Sequence, residues 1–169
     1  LPILSAYPPL VTTAWAWFFL YGGPDTAPEG IVALCSRTEG RCWRVLRAGT
    51  YGRPTAGRIN GRPFGVFTLY RNKTCTLCGF YLDQSFPAGE DSLQCHWKKE
   101  IAGCPGDLRW MGDEIVFGTD RARLFRVEAS SGRILQEVRL SGRVAAAPVR
   151  CGNRLFVGTL ESTLDVFEL

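Results

Sequence analysis

The feature that most constrains this chain is a repeat in its second half. Gly-Asp-Glu-Ile-Val-Phe-Gly-Thr, starting at Gly112, returns 40 positions later as Gly-Asn-Arg-Leu-Phe-Val-Gly-Thr, starting at Gly152. The pairs Gly118 and Gly158, Thr119 and Thr159, and Leu124 and Leu164 keep the same spacing of 40. Each copy is made of short β-prone runs cut by glycine turns. A helical repeat of that length would need long segments of 3.6-residue period, and none is visible. The expected fold class is therefore all-β, with four-stranded antiparallel units as in the blades of a β-propeller.

Read along the chain, turn signals divide it into four units, approximately 8–47, 54–101, 106–140 and 143–169. The first has strands expected at 10–12, 15–21, 31–34 and 42–46. The second opens at 55–59 and turns at Asn60-Gly61, a dipeptide that favours the tight hairpin turn because both positions need positive φ. It continues at 64–70 and 74–82, passes an insertion at 83–91, and ends in an outer strand at 93–101. The third has strands at 107–110, 114–119, 123–127 and 134–140. The fourth has 144–149, 154–159 and 163–169 but no outer strand, and the apolar stretch 2–5 is the one available to supply it. That stretch is a stub, and Pro2 cannot donate a ladder hydrogen bond. The units are thus expected to form part of a larger propeller, completed by further blades or by a partner. Starting at Leu1, with no charged segment ahead of an apolar run, the chain reads as a processed form or a fragment without a signal peptide. The run at 10–21 is too short for the ~20 residues that cross a bilayer, so no membrane span is expected.

A composition of 46% hydrophobic and 21% charged residues fits a globular protein. Its net charge of +4 is unevenly spread: nine of the basic residues fall between Arg37 and Lys73, where Glu39 is the one acid. Arginines on turns at one rim of a propeller can meet an acidic protein surface or phosphates. The rim candidates are Arg37, Arg41, Arg53, Arg58 and Arg62, and a protein partner ranks ahead of nucleic acid.

Cys75, Cys78, Cys95 and Cys104 have the count for a tetrahedral zinc site. Against zinc, Cys75 and Cys78 lie within one expected strand, where a spacing of three sends side chains to opposite faces. Seven cysteines are an odd number, in a chain large enough to bury a core without cross-links. The pattern therefore favours buried, reduced thiols, no bound metal and an intracellular setting. His96 is the single histidine, and with no placeable carboxylate beside it the expectation is a structural role. No catalytic residue and no cofactor are expected.

The stretch Ala33-Leu34-Cys35-Ser36-Arg37-Thr38-Glu39-Gly40-Arg41-Cys42-Trp43, with its counterpart from Arg126 to Gln136, resembles the quinoprotein-type (PQQ-like) propeller repeat. In that repeat a strand ending in Ala-Leu-Asp is followed by a Thr-Gly-Lys turn and an outer strand bearing Trp. The segment from Gly142 to Val149 is similar to the same repeat's inner-strand opening. Here Cys35 stands in the Asp slot and Gln136 in one Trp slot, marking a divergent member. The resemblance implies that Trp43 and Trp97 dock neighbouring blades. It also implies a non-catalytic scaffold or protein-interaction module, nearest to the propeller domain appended to β-alanine-activating-type adenylate-forming enzymes. The alternatives are a quinone-dependent dehydrogenase fragment and a basic-rim propeller that binds nucleic acid.

Overall fold

A computed structural model describes residues 9–20, 31–38, 42–47, 49–83 and 93–169. Among these residues there is no helix, and the strands fall into four antiparallel sheets. Sheet one joins β1 (Leu10–Val11), β2 (Trp15–Leu20), β3 (Ile31–Ser36) and β4 (Cys42–Arg47) in that order. Sheet two contains β5 (Gly49–Thr50), β6 (Thr55–Ile59), β7 (Arg62–Arg71), β8 (Thr74–Tyr81) and β9 (Trp97–Ile101). Sheet three is β10 (Arg109–Met111), β11 (Glu114–Gly118), β12 (Arg123–Glu128) and β13 (Ile134–Arg139). Sheet four is β14 (Val149–Cys151), β15 (Arg154–Gly158) and β16 (Leu164–Glu168).

The repeat is visible in the backbone itself. Gly112 and Gly152 take φ of 61° and 60° in matching turns, and Ala122 and Ser162, also 40 apart, take 53° and 61°. Left-handed backbone at a non-glycine residue is uncommon, so its return at the same phase shows that the two units share turn geometry as well as sequence. Asn60 and Gly61, with φ of 50° and 78°, make the tight turn between β6 and β7.

Three apolar clusters stack the sheets in chain order. Trp17 and Phe19 of β2 meet Phe67, Cys78, Phe80 and Leu82 of sheet two. Phe64, Val66, Leu77 and Trp97 of sheet two meet Ile115, Phe117, Phe125 and Val127 of sheet three. Val116 and Leu124 of sheet three meet Leu155 and Val157 of sheet four. Alternation along each strand supplies both faces: on β7, Phe64 and Val66 face sheet three while Phe67 faces sheet one.

Several boundaries differ from expectation, each for a physical reason. The residues 144–148 do not form a strand; β14 begins at Val149. Val144 N–H instead donates to Thr119 O and Ala145 O accepts from Asp107 N–H, so this segment bonds to sheet three, and Pro148 has no N–H to give. The outer strand of sheet two starts at Trp97 rather than residue 93, because Cys95 is tied to Cys78 and His96 N–H goes to Gly79 O. An extra piece, β5, shares an edge of β7 with β6: β6 pairs with Arg62 to Val66, β5 with Leu69 and Tyr70. Residues 2–5 and 84–92 lie outside the described residues.

Candidate interaction face

Within each sheet the turn joining first to second strand and the link joining third to fourth emerge at one end. In sheet two these are the Asn60-Gly61 hairpin and the segment after Tyr81; in sheet three they are the turns at 112–113 and 129–133. The ends align across sheets, since Ile59, Asn60, Asp113, Glu128, Ala129 and Ser130 line one shallow cavity of about 310 Å³. This end forms a rim.

Arg58 and Arg62 flank the hairpin tip on that rim, both exposed, and Arg37 lies on the β3–β4 turn, the third-to-fourth link of sheet one. The guanidinium of Arg58 donates to Gly61 O at 2.6 Å, and that of Arg37 donates to Thr12 O at 2.8 Å. Neither has a carboxylate partner among the described residues. Arg62 is different. Its Nε and NH2 grip Asp83 at 3.2 and 2.9 Å, and its guanidinium lies 4.1 Å above the Tyr81 ring. The bond to Asp83 raises the Arg62 pKa above its ordinary value. Arg53 sits at the opposite end, where its backbone N–H bonds Asp107 Oδ1 at 2.8 Å. Arg41 lies outside the described residues. The structure thus places Arg37, Arg58 and Arg62 at one end and separates Arg53 from them.

Trp97 is an anchor between sheets two and three. Its Nε1 donates to Ala129 O at 2.9 Å, and its ring lies against Gly79 of β8 and Gly132 of the β12–β13 turn, where a Cβ would overlap the indole. Trp110 fills the corresponding gap over Gly57 of β6, and Trp17 Nε1 reaches Leu82 O at 3.4 Å. The side chain of Trp43 falls outside what is described. Gln136, in a slot where the repeat resemblance expects Trp, bonds Arg126 at 3.1 Å, and Arg126 in turn holds Glu114 at 2.8 Å. That carboxylate raises the Arg126 pKa. His96 is exposed, with its ring 5.2 Å from Tyr81 and 6.1 Å from Phe64.

The cysteines correct the sequence reading. Cys75 is bonded to Cys104 and Cys78 to Cys95, and Cys35 is also disulfide-bonded. Paired in this way, Cys75, Cys78, Cys95 and Cys104 present no thiolate ligands in this structure for the zinc site that their count allows. The reduced state that pointed to an intracellular setting falls with it. The two cysteines of β8 do leave opposite faces of the strand: Cys78 packs in the cluster with sheet one, and Cys75 is tied to the crossing into sheet three. Opposite faces prevent a shared metal and permit two separate bridges. Among the described residues Cys151 alone is a free thiol, and it is exposed.

No protein-family model matches the sequence, and no curated protein matches it. The fold has solved relatives. The structure of BamB from Moraxella catarrhalis superposes with a TM-score of 0.61 at 13% identity, over 95% of this chain and 42% of that one. The WD40 domain of Toxoplasma gondii coronin superposes at 0.68 with 7% identity, again over 95% of this chain and 42% of that one. The computationally designed Ika4 protein gives 0.60 at 13% identity, over 96% and 89%. The chain thus spans less than half the length of the BamB and coronin chains, and at these identities the likeness concerns architecture alone. Its four antiparallel sheets, stacked face to face in chain order, are blades of a β-propeller.

Proposed function

We propose that this chain is a non-catalytic propeller platform of the quinoprotein-type repeat, with blades at approximately 8–47, 54–101, 106–140 and 143–169. Its basic rim binds an acidic segment of another protein. One observation carries the reading: at this end of adjacent sheets, Arg37 on the β3–β4 turn and Arg58 beside the β6–β7 turn donate to backbone carbonyls and, among the described residues, to no carboxylate. Each guanidinium is oriented and keeps donors for a carboxylate, the geometry that suits bidentate recognition. Arg62 supports a different contact, because Asp83 already occupies it and its outer face over Tyr81 is aromatic.

Fluorescence anisotropy with a labelled peptide rich in Asp and Glu tests this. Binding should weaken with added salt, and the double variant Arg37→Glu, Arg58→Glu should lose about tenfold or more in affinity, as expected for two close charge reversals. Unchanged affinity in the double variant would refute the rim reading. Tighter binding of a DNA or RNA duplex than of the peptide would transfer the site to nucleic acid.

A further inference from the structure

We propose that Asn72, at the tip of the β7–β8 hairpin, is an acceptor for an N-linked oligosaccharide, attached in the same oxidising compartment that closes this chain's disulfides. Asn72-Lys73-Thr74 has the Asn-x-Thr order that the transferring enzyme reads, with no proline between. Two observations independent of that order support it. The first is chemical. Cys75–Cys104, Cys78–Cys95 and the bonded Cys35 are the oxidised sulfurs of a protein matured outside the reducing cytosol, and the lumen of the secretory pathway both forms such bonds and supplies the sugar donor. Cys75 follows Thr74 directly, so one hairpin carries the marks of both reactions.

The second observation is geometric. Arg71 pairs with Thr74, so the hairpin closes on Asn72 and Lys73 alone, with φ of 51° and 63°. Residues 71–74 are all exposed. The flanking ladders stop short of the tip: β5 pairs as far as Tyr70, and β9 as far as Cys75. A sugar on Asn72 therefore extends into water and displaces no ladder hydrogen bond. Turn preference accounts for an asparagine at this place, because its side chain tolerates left-handed backbone, and Asn60 and Asn153 lie in turns as well. It makes no demand on the residue two positions later, which is Arg62 after Asn60 and Leu155 after Asn153. At Asn72 that residue is the hydroxyl-bearing Thr74. The 10 residues of β7 carry the chain about 30 Å from Arg62 to this tip, so the sugar stands at the end away from Arg58 and Arg62. The inference is thus independent of the rim reading.

The donor is an oligosaccharide linked to a lipid pyrophosphate. Asn72 Nδ2 forms a bond to C1 of the first sugar while the bond from C1 to the pyrophosphate oxygen breaks. The lipid pyrophosphate leaves with that electron pair, one amide proton passes to a base, and nothing is oxidised or reduced. To test this, the natural polypeptide is isolated from the cells that make it, reduced, alkylated and cut with chymotrypsin, which releases residues 71–77; trypsin would cut at Lys73, inside the motif. A glycan-releasing amidase in heavy-oxygen water turns a glycosylated asparagine into labelled aspartate. The expected result is a sugar-bearing 71–77 peptide before the amidase and labelled aspartate at position 72 after it. Thr74→Ala should abolish the label and Thr74→Ser should keep it, whereas a role for Asn72 in the turn alone predicts no label in any of the three proteins. The sugar is transferred to the chain before it folds, so loss in Thr74→Ala does not depend on the variant's stability. An unmodified 71–77 peptide from the unsubstituted protein would overturn the proposal. Label that appears equally without the amidase is spontaneous deamidation and would overturn it too.

Discussion

Glycines with the same backbone conformation carry different loads. Gly112 and Gly132 both have positive φ, 61° and 72°, but a Cβ at Gly112 meets nothing within 4 Å while one at Gly132 comes within 2.6 Å of the Trp97 ring. Gly112→Ala is expected to cost about 1 kcal/mol, the left-handed penalty alone. Gly132→Ala adds displacement of the indole and its bond to Ala129, and its urea midpoint should fall clearly further. Equal midpoints would show that Trp97 moves freely. Charged residues make a second case. The bond from Arg143 holds the Glu161 carboxyl below its ordinary pKa, and the bond from Ser131 does the same for Glu128. A depressed carboxyl contributes stability above its unfolded pKa and loses it as pH falls through the folded value. The Arg143–Glu161 clasp, Nε to Oε1 at 2.8 Å, should therefore persist through the neutral range and release only below the usual carboxylate range. NMR titration of the Arg143 amide, whose N–H bonds Glu161 at 2.7 Å, follows this, and Glu161→Gln should flatten the titration.

At the scale of the element, two bridges anchor β8 of sheet two, one on each face. Cys75–Cys104 and Cys78–Cys95 close segments with sequence separations of 29 and 17. Loop-closure entropy assigns each about 3 kcal/mol. Chemical denaturation with and without reductant should show a loss of that order per bridge, and Cys78→Ser with Cys95→Ser should show it for one. Much of the strand pattern is legible in the amino-acid order alone. The turn glycines 112 and 152 set the period, and Asn60-Gly61 fixes the β6–β7 register through its required positive φ. The bridges are not legible there. Pairing depends on Cys104 returning from the crossing between β9 and β10, a tertiary fact, and free Cys151 is one reason that the total of seven is odd. Val144 misleads for a related reason: its β-prone neighbourhood reads as a strand, but its hydrogen bond and its seat on Gly118 belong to the preceding sheet. Among the rim arginines, proximity along the chain groups Arg53 with the others, whereas strand direction sends it to the opposite end.

Among the described residues, at the scale of the whole molecule, three apolar clusters join the sheets one after another, and stability is expected to be graded along that series. Sheets two and three are each packed on both faces, while sheet four, among the described residues, shares only the cluster with sheet three. Amide hydrogen exchange should be slowest in β7, β8 and β11 and fastest in β14 to β16; uniform protection across all four sheets would show instead that they open as one unit. The placement of the bridges has a separate consequence for covalent integrity. Cys78–Cys95 lies wholly inside the span closed by Cys75–Cys104, so the two rings are concentric and residues 79–94 are enclosed twice. A protease that cuts once anywhere in that span leaves a two-piece molecule still joined by both bonds. Such a nicked protein should run at full mass without reductant and separate into two fragments only when reductant is added, so the molecule can be severed in sequence without being severed in substance.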